Sequence, residues 1–393
     1  MIHTLDELHL KDKKIFLRVD FNVPLKDGTI SETHRIDSTL PTLRHLGTHA
    51  RKVIVASHLG RPGGKIATHW SLAPVQKYLA SALSLPVAMA PDCIGPEVEN
   101  LVGDPTGPKI VLLENLRFHP EEEANDSGFS KALASLAEVY VNDAFGAAHR
   151  AHASTAGMVR YFREKAAGLL FQKELDYLGA ALSHPDKPFA AVLGGAKVSD
   201  KIGVIQNLLP KVDRLIIGGG MAYTFLKSRG TAIGKSLVED ERISLASDLM
   251  KQATDRGIRI FLPTDHVTAK SPKESRGKVV SQLDIPDTSM GLDIGPETVA
   301  SFCQALSDCK TVLWNGPLGL FENEPFSGGT LAVARALAGC SGISIIAGGD
   351  TVAAVAKAGV AEKMTHLSTG GGATLEFLEG KKLPGVLALE DGP

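Results

Sequence analysis

Short apolar runs alternate with amphipathic stretches along the chain. Polar residues or glycines follow each apolar run of the first half, and these runs lie at 14–24, 52–56, 109–113 and 138–141. Apolar residues at helical spacing lie between them, as at 71–83 and 129–137. Such runs predict buried strands, and strands that alternate with helices predict a parallel α/β sheet, in which ligands bind at the carboxyl ends of the strands.

The second half repeats this pattern. A helix is predicted over 171–182, and Pro185 and Pro188 follow it. Glycine or proline turns then follow the predicted strands, which lie at 189–193, 215–217, 259–262, 311–314 and 343–347. Because 393 residues exceed one ordinary hydrophobic core, we predict two α/β domains with a boundary near His184.

The stretch 189–205 predicts a strand, a glycine turn and a helix that begins near Val198. Lys197 and Lys201 then lie at i and i+4 beside the helix N-terminus, where two cations oppose the helix dipole and repel each other. A bound anion would make both effects favourable. The alternative is two solvated surface lysines offset by Asp200, and this stretch alone leaves both interpretations open.

Arginine recurs at or beside the ends of the first-half strands, and its planar fork of donors matches phosphate and carboxylate. Surface arginines are common, but recurrence after separate strands favours one shared site for a small polyanion. This set comprises Arg35, Arg61, Arg117 and Arg150, with His58 and His149 nearby. The acidic run 121–123 predicts only a solvated helix start, which the helix dipole favours.

Glycine runs follow several second-half strands, at 218–220, 348–349 and 370–372. Such runs let backbone N–H groups approach a phosphate, although they also serve plain turns. Asp350 is an N-cap residue by default, and it could also hold Mg²⁺ beside substrate phosphates. Neither a P-loop nor a GxGxxG fingerprint is complete, so a nucleotide site here is of another type. Trp314 is predicted to lie in the core.

Composition narrows the class of protein. A net charge of -2 argues against bulk nucleic-acid or membrane binding. No uncharged apolar run reaches the roughly 18 residues that span a bilayer, and the N-terminus has charges where a signal peptide needs an apolar core. The four cysteines have no metal-ligand spacing and are expected to be buried thiols in a reducing compartment. We therefore expect a cytoplasmic protein.

Several long motifs together resemble the signature blocks of the phosphoglycerate kinase family, in one order and nearly end to end. They are RVDFNVP at 18–24, SHLGRP at 57–62, LENLRFHPEE at 113–122, NDAFGAAHRAHAS at 142–154, GGAKVSDKI at 194–202, WNGPLGLFE at 314–322, GGDT at 348–351 and STGGGAT at 368–374. One departure is Thr374, where serine is usual; a hydroxyl remains, so no loss of chemistry is expected.

The resemblance implies two Rossmann-like lobes, each a mainly parallel sheet flanked by helices, that face each other across a hinged cleft. Residues 1–170, with 379–393 returning, would bind phosphoglycerate; 171–184 would be a linker helix, and 185–378 would bind the nucleotide. It also implies reversible transfer of a phosphoryl group from 1,3-bisphosphoglycerate to MgADP, with Mg²⁺ and ADP or ATP required. A monomer without nucleic-acid or membrane partners is expected.

The resemblance also implies roles for individual residues. The phosphoglycerate ligands would be Asp20, Asn22, Arg35, His58, Arg61, Arg117 and Arg150. The nucleotide ligands would be Lys197, Lys201, Asn315, Glu322, Gly348, Gly349, Asp350 and Thr351, with Glu322 on the ribose and Asp350 near Mg²⁺. Arg35, Lys197, Gly371 and Gly372 would neutralise the transferred group. Two alternatives are a non-enzymatic sensor of phosphorylated metabolites, and a nicotinamide-dependent dehydrogenase, which needs the missing GxGxxG.

Overall fold

The computed structural model describes residues 2–280 and 284–390, and these divide into two compact units. The first unit contains 2–176 together with 382–390, and the second contains Tyr177–Lys381. The boundary lies inside helix α6 (Leu169–Ser183), which the sequence predicts as a helix over 171–182. The different ligands expected for the two units remain predictions.

The first unit has strands β1 (Lys14–Arg18), β2 (Leu25–Lys26), β3 (Thr29–Ile30), β4 (Lys52–Ala56), β5 (Val87–Met89), β6 (Ile110–Leu112), β7 (Val139–Asn142) and β8 (Glu164–Ala167). Its helices are α1 (His34–His49), α2 (Ala73–Leu83), α3 (Pro96–Gly103), α4 (Pro120–Glu123), α5 (Ser127–Ala134) and, after the second unit, α14 (Pro384–Leu387).

Six of these strands form one parallel sheet in the order β5-β6-β4-β1-β7-β8. The chain continues from β1 toward β4 on one side and from β7 toward β8 on the other, so the loops after β1 and β7 diverge and leave a crevice at the carboxyl ends of these strands. Apolar residues of the central strands are fully buried, because helices cover both faces of a parallel sheet.

The second unit has strands β9 (Phe189–Leu193), β10 (Arg214–Ile217), β11 (Arg259–Phe261), β12 (His266–Ala269), β13 (Lys278–Val280), β14 (Met290–Ile294), β15 (Thr311–Asn315), β16 (Ile343–Ala347) and β17 (His366–Leu367). Its helices are α7 (Ile202–Leu208), α8 (Ala222–Ser228), α9 (Ile243–Asp255), α10 (Pro296–Leu306), α11 (Gly328–Leu337), α12 (Gly349–Lys357) and α13 (Gly372–Leu378).

The main sheet of the second unit is also parallel, in the order β11-β10-β9-β15-β16-β17, and β12 to β14 form a small antiparallel sheet. Trp314 is fully buried in the core between the main sheet and helices α10 to α12, as predicted. The predicted α/β class with two mainly parallel sheets is confirmed. Within the described ranges, no helix combines the length and the apolar character needed to span a bilayer.

One predicted helix start is wrong. Helix α7 begins at Ile202, and the residues from Gly195 to Lys201 form turns. Gly195 has φ of 101°, a value that L side chains rarely adopt, and the chain leaves the strand in a loop there. Lys197 and Lys201 therefore do not share a helical face, and the dipole argument does not apply to Lys197.

Candidate active site

Cationic side chains from β1, from α1 and from the loops after β4, β6 and β7 gather at the carboxyl edge of the first sheet. We call the group Arg18, Arg35, Arg117, Arg150 and His58 the arginine cluster. Arg18 and His58 are almost fully buried, and the charges of Arg18, Arg117 and Arg35 all act on His58. Of the four arginines predicted to share a site, Arg35 and Arg117 act on His58, and Arg150 acts on Arg117.

Arg35 lies in the first turn of α1 and is fixed by the loop after β1. Its Nη1 donates to Asp20 Oδ2 at 2.9 Å and is 3.4 Å from the carbonyl oxygen of Asn22. Asn22 Oδ1 in turn accepts from the amide of Gly60 at 2.8 Å. These contacts hold Arg35 in place while leaving 28% of its side chain exposed to a ligand.

His58 is neutral. Burial, followed by the charges of Arg18, Arg117 and Arg35, lowers the pKa of His58 well below its usual value. Arg18 Nη2 lies 3.2 Å from His58 Nδ1, and because a guanidinium only donates, Nδ1 must accept. The ring proton is therefore on Nε2, which lies 3.9 Å from Asp20 Oδ1. His58 thus offers one N–H donor without a charge.

Arg117 is buried beneath the loop after β4, where its Nη1 donates to the carbonyl of Gly60 at 2.7 Å. Asn115 orders this loop by accepting from the amides of Leu59 and Arg117, each at 3.1 Å. The charge of Arg150 acts on Arg117, and Arg150 Nε donates to His149 Nε2 at 3.1 Å.

Arg61 is predicted to bind phosphoglycerate, but no contact among the described residues connects its side chain to the arginine cluster. It follows Gly60 directly in the chain, but its side chain is exposed. No hydrogen bond or ion pair links it to another residue among those described. Its assigned role depends on the motif alone.

Three residues at this site were not predicted from the sequence pattern: Arg18, His152 and Glu122. Arg18 is 1% exposed although it lies in a strand that the sequence predicts to turn polar. Burial and the charges of Arg18, Arg117 and Arg150 lower the pKa of His152 to about 4. The expectation that 121–123 is a solvated helix start is wrong for Glu122, which is fully buried beneath the arginine cluster.

In the second unit, three glycine loops pack backbone against backbone at the carboxyl ends of β9, β10 and β15. Gly195 donates to the carbonyl of Pro317 at 2.9 Å, and Gly219 donates to that of Leu318 at 3.0 Å. A Cβ on Gly194 or Gly316 would lie 2.1–2.2 Å from backbone oxygens of the neighbouring loop. Only glycine allows this approach, so these runs have a structural role beyond plain turns.

These loops form the floor of a cavity of about 450 Å³, which we call the glycine-floored cavity. Its walls include Tyr223, Leu237, Met290 and Leu292. The acidic residues Glu322 and Asp350 also line it. Largely apolar walls with a few polar groups are typical of small-molecule sites. Its volume is adequate for one nucleotide-sized ligand.

Lys201 and Asn315 contact each other, and the charge of Asp350, which lines this cavity, acts on Lys201. Lys201 Nζ donates to Asn315 Oδ1, and the Asn315 amide nitrogen has no hydrogen-bond partner within the described residues. Burial lowers the pKa of Lys201 to about 8, against the opposing charges of Asp200, Asp350 and Glu379. A half-buried ammonium and an unpaired buried amide are donors that an anion could satisfy.

Residues 348–351 place Asp350 in the first turn of α12. Gly348, with φ of 88°, is the N-cap residue, so Asp350 is not the N-cap. Thr351 Oγ1 accepts from the amide of Gly316 at 2.7 Å, which joins this helix to the loop after β15. Gly349 and Asp350 remain exposed.

Three further predicted residues, Lys197, Gly371 and Gly372, make no hydrogen bond or ion pair with Lys201, Asn315 or Asp350 in the part of the chain that the structure describes. Lys197 is exposed in the turns before α7, and its charge acts on Glu239. Gly371, with φ of 51°, caps α13, and Gly372 begins it. Helix α7 joins α13 through Asn207 Nδ2, which donates to the carbonyl of Leu378 at 2.8 Å.

A different group, Asp92, Cys93 and His119, brings three metal-ligand types within 4.8 Å of one another. His119 Nε2 is already 2.6 Å from Asp92 Oδ1, and burial raises the pKa of the Cys93 thiol well above its usual value. A hydrogen bond between His119 and Asp92 and a protonated Cys93 thiol account for this arrangement without a metal. Asp350 remains the expected metal ligand.

Comparisons with known proteins agree with this geometry. The family described as phosphoglycerate kinase matches residues 5–381. A phosphoglycerate kinase of Moorella thermoacetica is 55% identical over 389 residues, covering 99% of each chain. A cytosolic phosphoglycerate kinase of Triticum aestivum is 54% identical, covering 99% of this chain and 98% of its own. The structure of phosphoglycerate kinase from Coxiella burnetii superposes with a TM-score of 0.88 at 40% identity, covering 99% of each chain.

Proposed function

This chain belongs to the phosphoglycerate kinase family, and from that premise we propose that it transfers a phosphoryl group reversibly between 1,3-bisphosphoglycerate and MgADP. The products are 3-phosphoglycerate and MgATP, as in glycolysis. It is therefore a phosphotransferase whose acceptor in the reverse direction is a carboxyl group. The observation that carries this proposal is the pairing of an arginine cluster in one unit with a glycine-floored cavity in the other.

The arginine cluster binds the phosphoglycerate, with Arg35, Arg117 and Arg150 as charged donors. Phosphoryl transfer needs little covalent chemistry from a protein, but it needs alignment and charge stabilisation. His58 is an anion ligand and not a phosphate carrier, since Nδ1 accepts from Arg18 and Nε2 carries the proton. Neither nitrogen offers a free lone pair, which supports direct in-line transfer without a phospho-enzyme.

The glycine-floored cavity binds the nucleotide. Glu322, exposed at its lining, accepts hydrogen bonds from the ribose hydroxyls, and Lys201 and Asn315 donate to the phosphates. Gly348 to Thr351 complete this side. One exposed carboxylate beside substrate phosphates suits Mg²⁺, which typically takes one or two carboxylates and keeps several waters, so Asp350 would hold it. When bound, Mg²⁺ neutralises charge on the phosphate oxygens.

Arg35, Lys197 and the amides of Gly371 and Gly372 stabilise the group in transfer. As the family resemblance implies, hinge closure would exclude water, which would otherwise hydrolyse ATP. The chain acts as a monomer in the cytoplasm, with no partner beyond its substrates. The likeness over 99% of the chain to the cytosolic wheat kinase supports this location.

We expect Lys201→Ala to weaken MgADP binding on the order of tenfold, because it removes a partly desolvated cation from the phosphates. Its pKa of about 8 adds a pH effect: affinity for MgADP should fall as the pH rises through that value and the ammonium is lost. Lys201→Arg keeps the charge and should lose this pH dependence. Isothermal titration calorimetry on either side of that pH measures both effects.

Lys227→Ala is the matched control, since this exposed lysine of the same unit pairs with Asp240. Its MgADP affinity should equal that of the parent at each pH. An unchanged affinity in Lys201→Ala would remove Lys201 from the nucleotide site.

A coupled assay in the reverse direction tests the function. The chain receives 3-phosphoglycerate and MgATP, and added glyceraldehyde-3-phosphate dehydrogenase reports product through NADH oxidation. Oxidation that requires both substrates and Mg²⁺ is expected. If the folded chain binds both ligands but gives no oxidation, the enzymatic proposal fails and a sensor of phosphorylated metabolites takes its place.

A further inference from the structure

A buried carboxylate lies beneath the arginine cluster. Glu122, on the short helix α4, is 0% exposed and accepts from the Ser154 amide at 2.9 Å and from Ser154 Oγ at 2.5 Å. His152 Nδ1 is 3.9 Å from its Oε1. Burial of a carboxylate is costly unless it is paired and hydrogen-bonded, so this position calls for an explanation.

The contacts of Glu122 continue to the ligand-binding edge of the sheet. Because the Ser154 hydroxyl donates its only hydrogen to Glu122, its oxygen is left to accept from Arg18 Nε, at 2.7 Å. Arg18 Nη2 then lies 3.2 Å from His58 Nδ1. A chain of four side chains thus runs from Glu122 through Ser154 and Arg18 to His58, and each of its three hydrogen bonds has a defined donor and acceptor.

Glu122 sets the orientation of Ser154, and Ser154 holds Arg18 in place. An ionised carboxylate can only accept, so the serine hydroxyl has one orientation, and Arg18 meets a lone pair instead of a hydrogen. Arg18 in turn can only donate, so His58 Nδ1 is unprotonated and Nε2 presents the N–H. Burial raises the pKa of Glu122, whereas the charge of Arg18, the two hydrogen bonds from Ser154 and the charge of Arg117 oppose that effect and favour the ionised carboxylate.

We propose that Glu122 is a positioning residue for the phosphoglycerate site: through Ser154 it holds Arg18 against His58 Nδ1, and so it keeps the N–H of His58 Nε2 directed to the bound anion. This inference rests on the proposed function, since it assigns the anion to that site. Glu122 itself contacts no substrate.

The test compares Glu122→Gln with Ser154→Ala. Glu122→Gln keeps the volume and one acceptor oxygen but removes the charge, and Ser154→Ala keeps the charge but cuts the chain. Each should raise the Kd for 3-phosphoglycerate on the order of tenfold, as loss of a hydrogen bond to a charged group does elsewhere, while the Kd for MgADP stays unchanged. The double variant should lose little more than either single one, because both act through one chain.

Asp143→Asn is the matched control. Asp143 is another fully buried carboxylate of the same unit and accepts from the amides of Leu170 and Phe171 at 2.9 and 3.1 Å. Its substitution should destabilise the unit without changing the Kd for 3-phosphoglycerate. A general loss of packing would weaken both ligands in all three variants, and that result would overturn the positioning role.

Nitrogen-15 spectra of the His58 ring give a readout that needs no substrate. The parent should show Nε2 protonated and Nδ1 unprotonated, and Glu122→Gln and Ser154→Ala should shift this ring toward a mixture of tautomers. An unchanged His58 tautomer and an unchanged Kd in both variants would overturn the proposal. If the parent fails the coupled assay and does not bind 3-phosphoglycerate, the proposed function fails. The tautomer spectra still decide whether Glu122 controls which ring nitrogen of His58 carries the proton.

Discussion

Arg35→Ala should lower turnover on the order of 10²–10³-fold or more, the loss that follows removal of one preorganised donor to a transition state. Its guanidinium is fixed by Asp20 at 2.9 Å before any ligand arrives, so no reorganisation is needed when charge moves onto the transferred group. The coupled assay measures the effect as kcat at saturating concentrations of both substrates.

Arg44→Ala provides the control on the same helix. Arg44 is exposed, and its Nη2 donates to the carbonyl of Ala82 at 3.2 Å, away from the arginine cluster. It should retain the turnover of the parent. Near-full turnover in Arg35→Ala would remove Arg35 from the chemical step and leave it as a structural partner of Asp20.

Gly316→Ala should disrupt the floor of the glycine-floored cavity. Gly316 has φ of 100°, and a Cβ there would lie 2.2 Å from the carbonyl oxygen of Gly194. Backbone strain of this kind costs on the order of 1–3 kcal/mol, and the clash must move one loop away from the other. We expect a lower melting temperature, measured by calorimetry, and at least a tenfold loss of MgADP affinity.

Gly328→Ala separates this effect from the general cost of replacing a glycine. Gly328 begins α11 in the same unit, and a Cβ there would meet no atom within 4 Å. It should melt at or above the temperature of the parent, because alanine is favoured over glycine in a helix. If Gly316→Ala behaves like Gly328→Ala, the close approach of the loops is not required for the cavity.

The sequence predicts the positions of several strands accurately. The runs at 52–56, 189–193 and 343–347 match β4, β9 and β16 residue for residue. Strands buried on both faces need continuous apolar runs, and glycine or polar residues at their ends mark where the chain leaves the sheet. The motif resemblance was needed to assign individual side chains to a reaction.

Local patterns could not predict features that depend on distant partners. The helix start near Val198 was predicted from apolar spacing, whereas the turn conformation from Gly195 onward delays α7 to Ile202. Glu122 lies in an acidic run typical of a solvated helix start, yet it is fully buried and accepts a hydrogen bond from Ser154, 32 positions later. Arg18 meets the same serine across 136 positions. A charge is buried because of such partners, and a local sequence window does not contain them.

The segment 382–390 belongs to the first unit although the whole second unit precedes it in the chain. Leu383 and Leu389 are buried there, Gly385 donates to the carbonyl of Ala148 at 2.8 Å, and Lys165 Nζ donates to the carbonyl of Ala388 at 2.9 Å. A ribosome therefore completes every residue of the second unit before it supplies the segment that finishes the first unit. Although domains generally fold in order of synthesis, here the unit that emerges first is the last to acquire its full set of contacts.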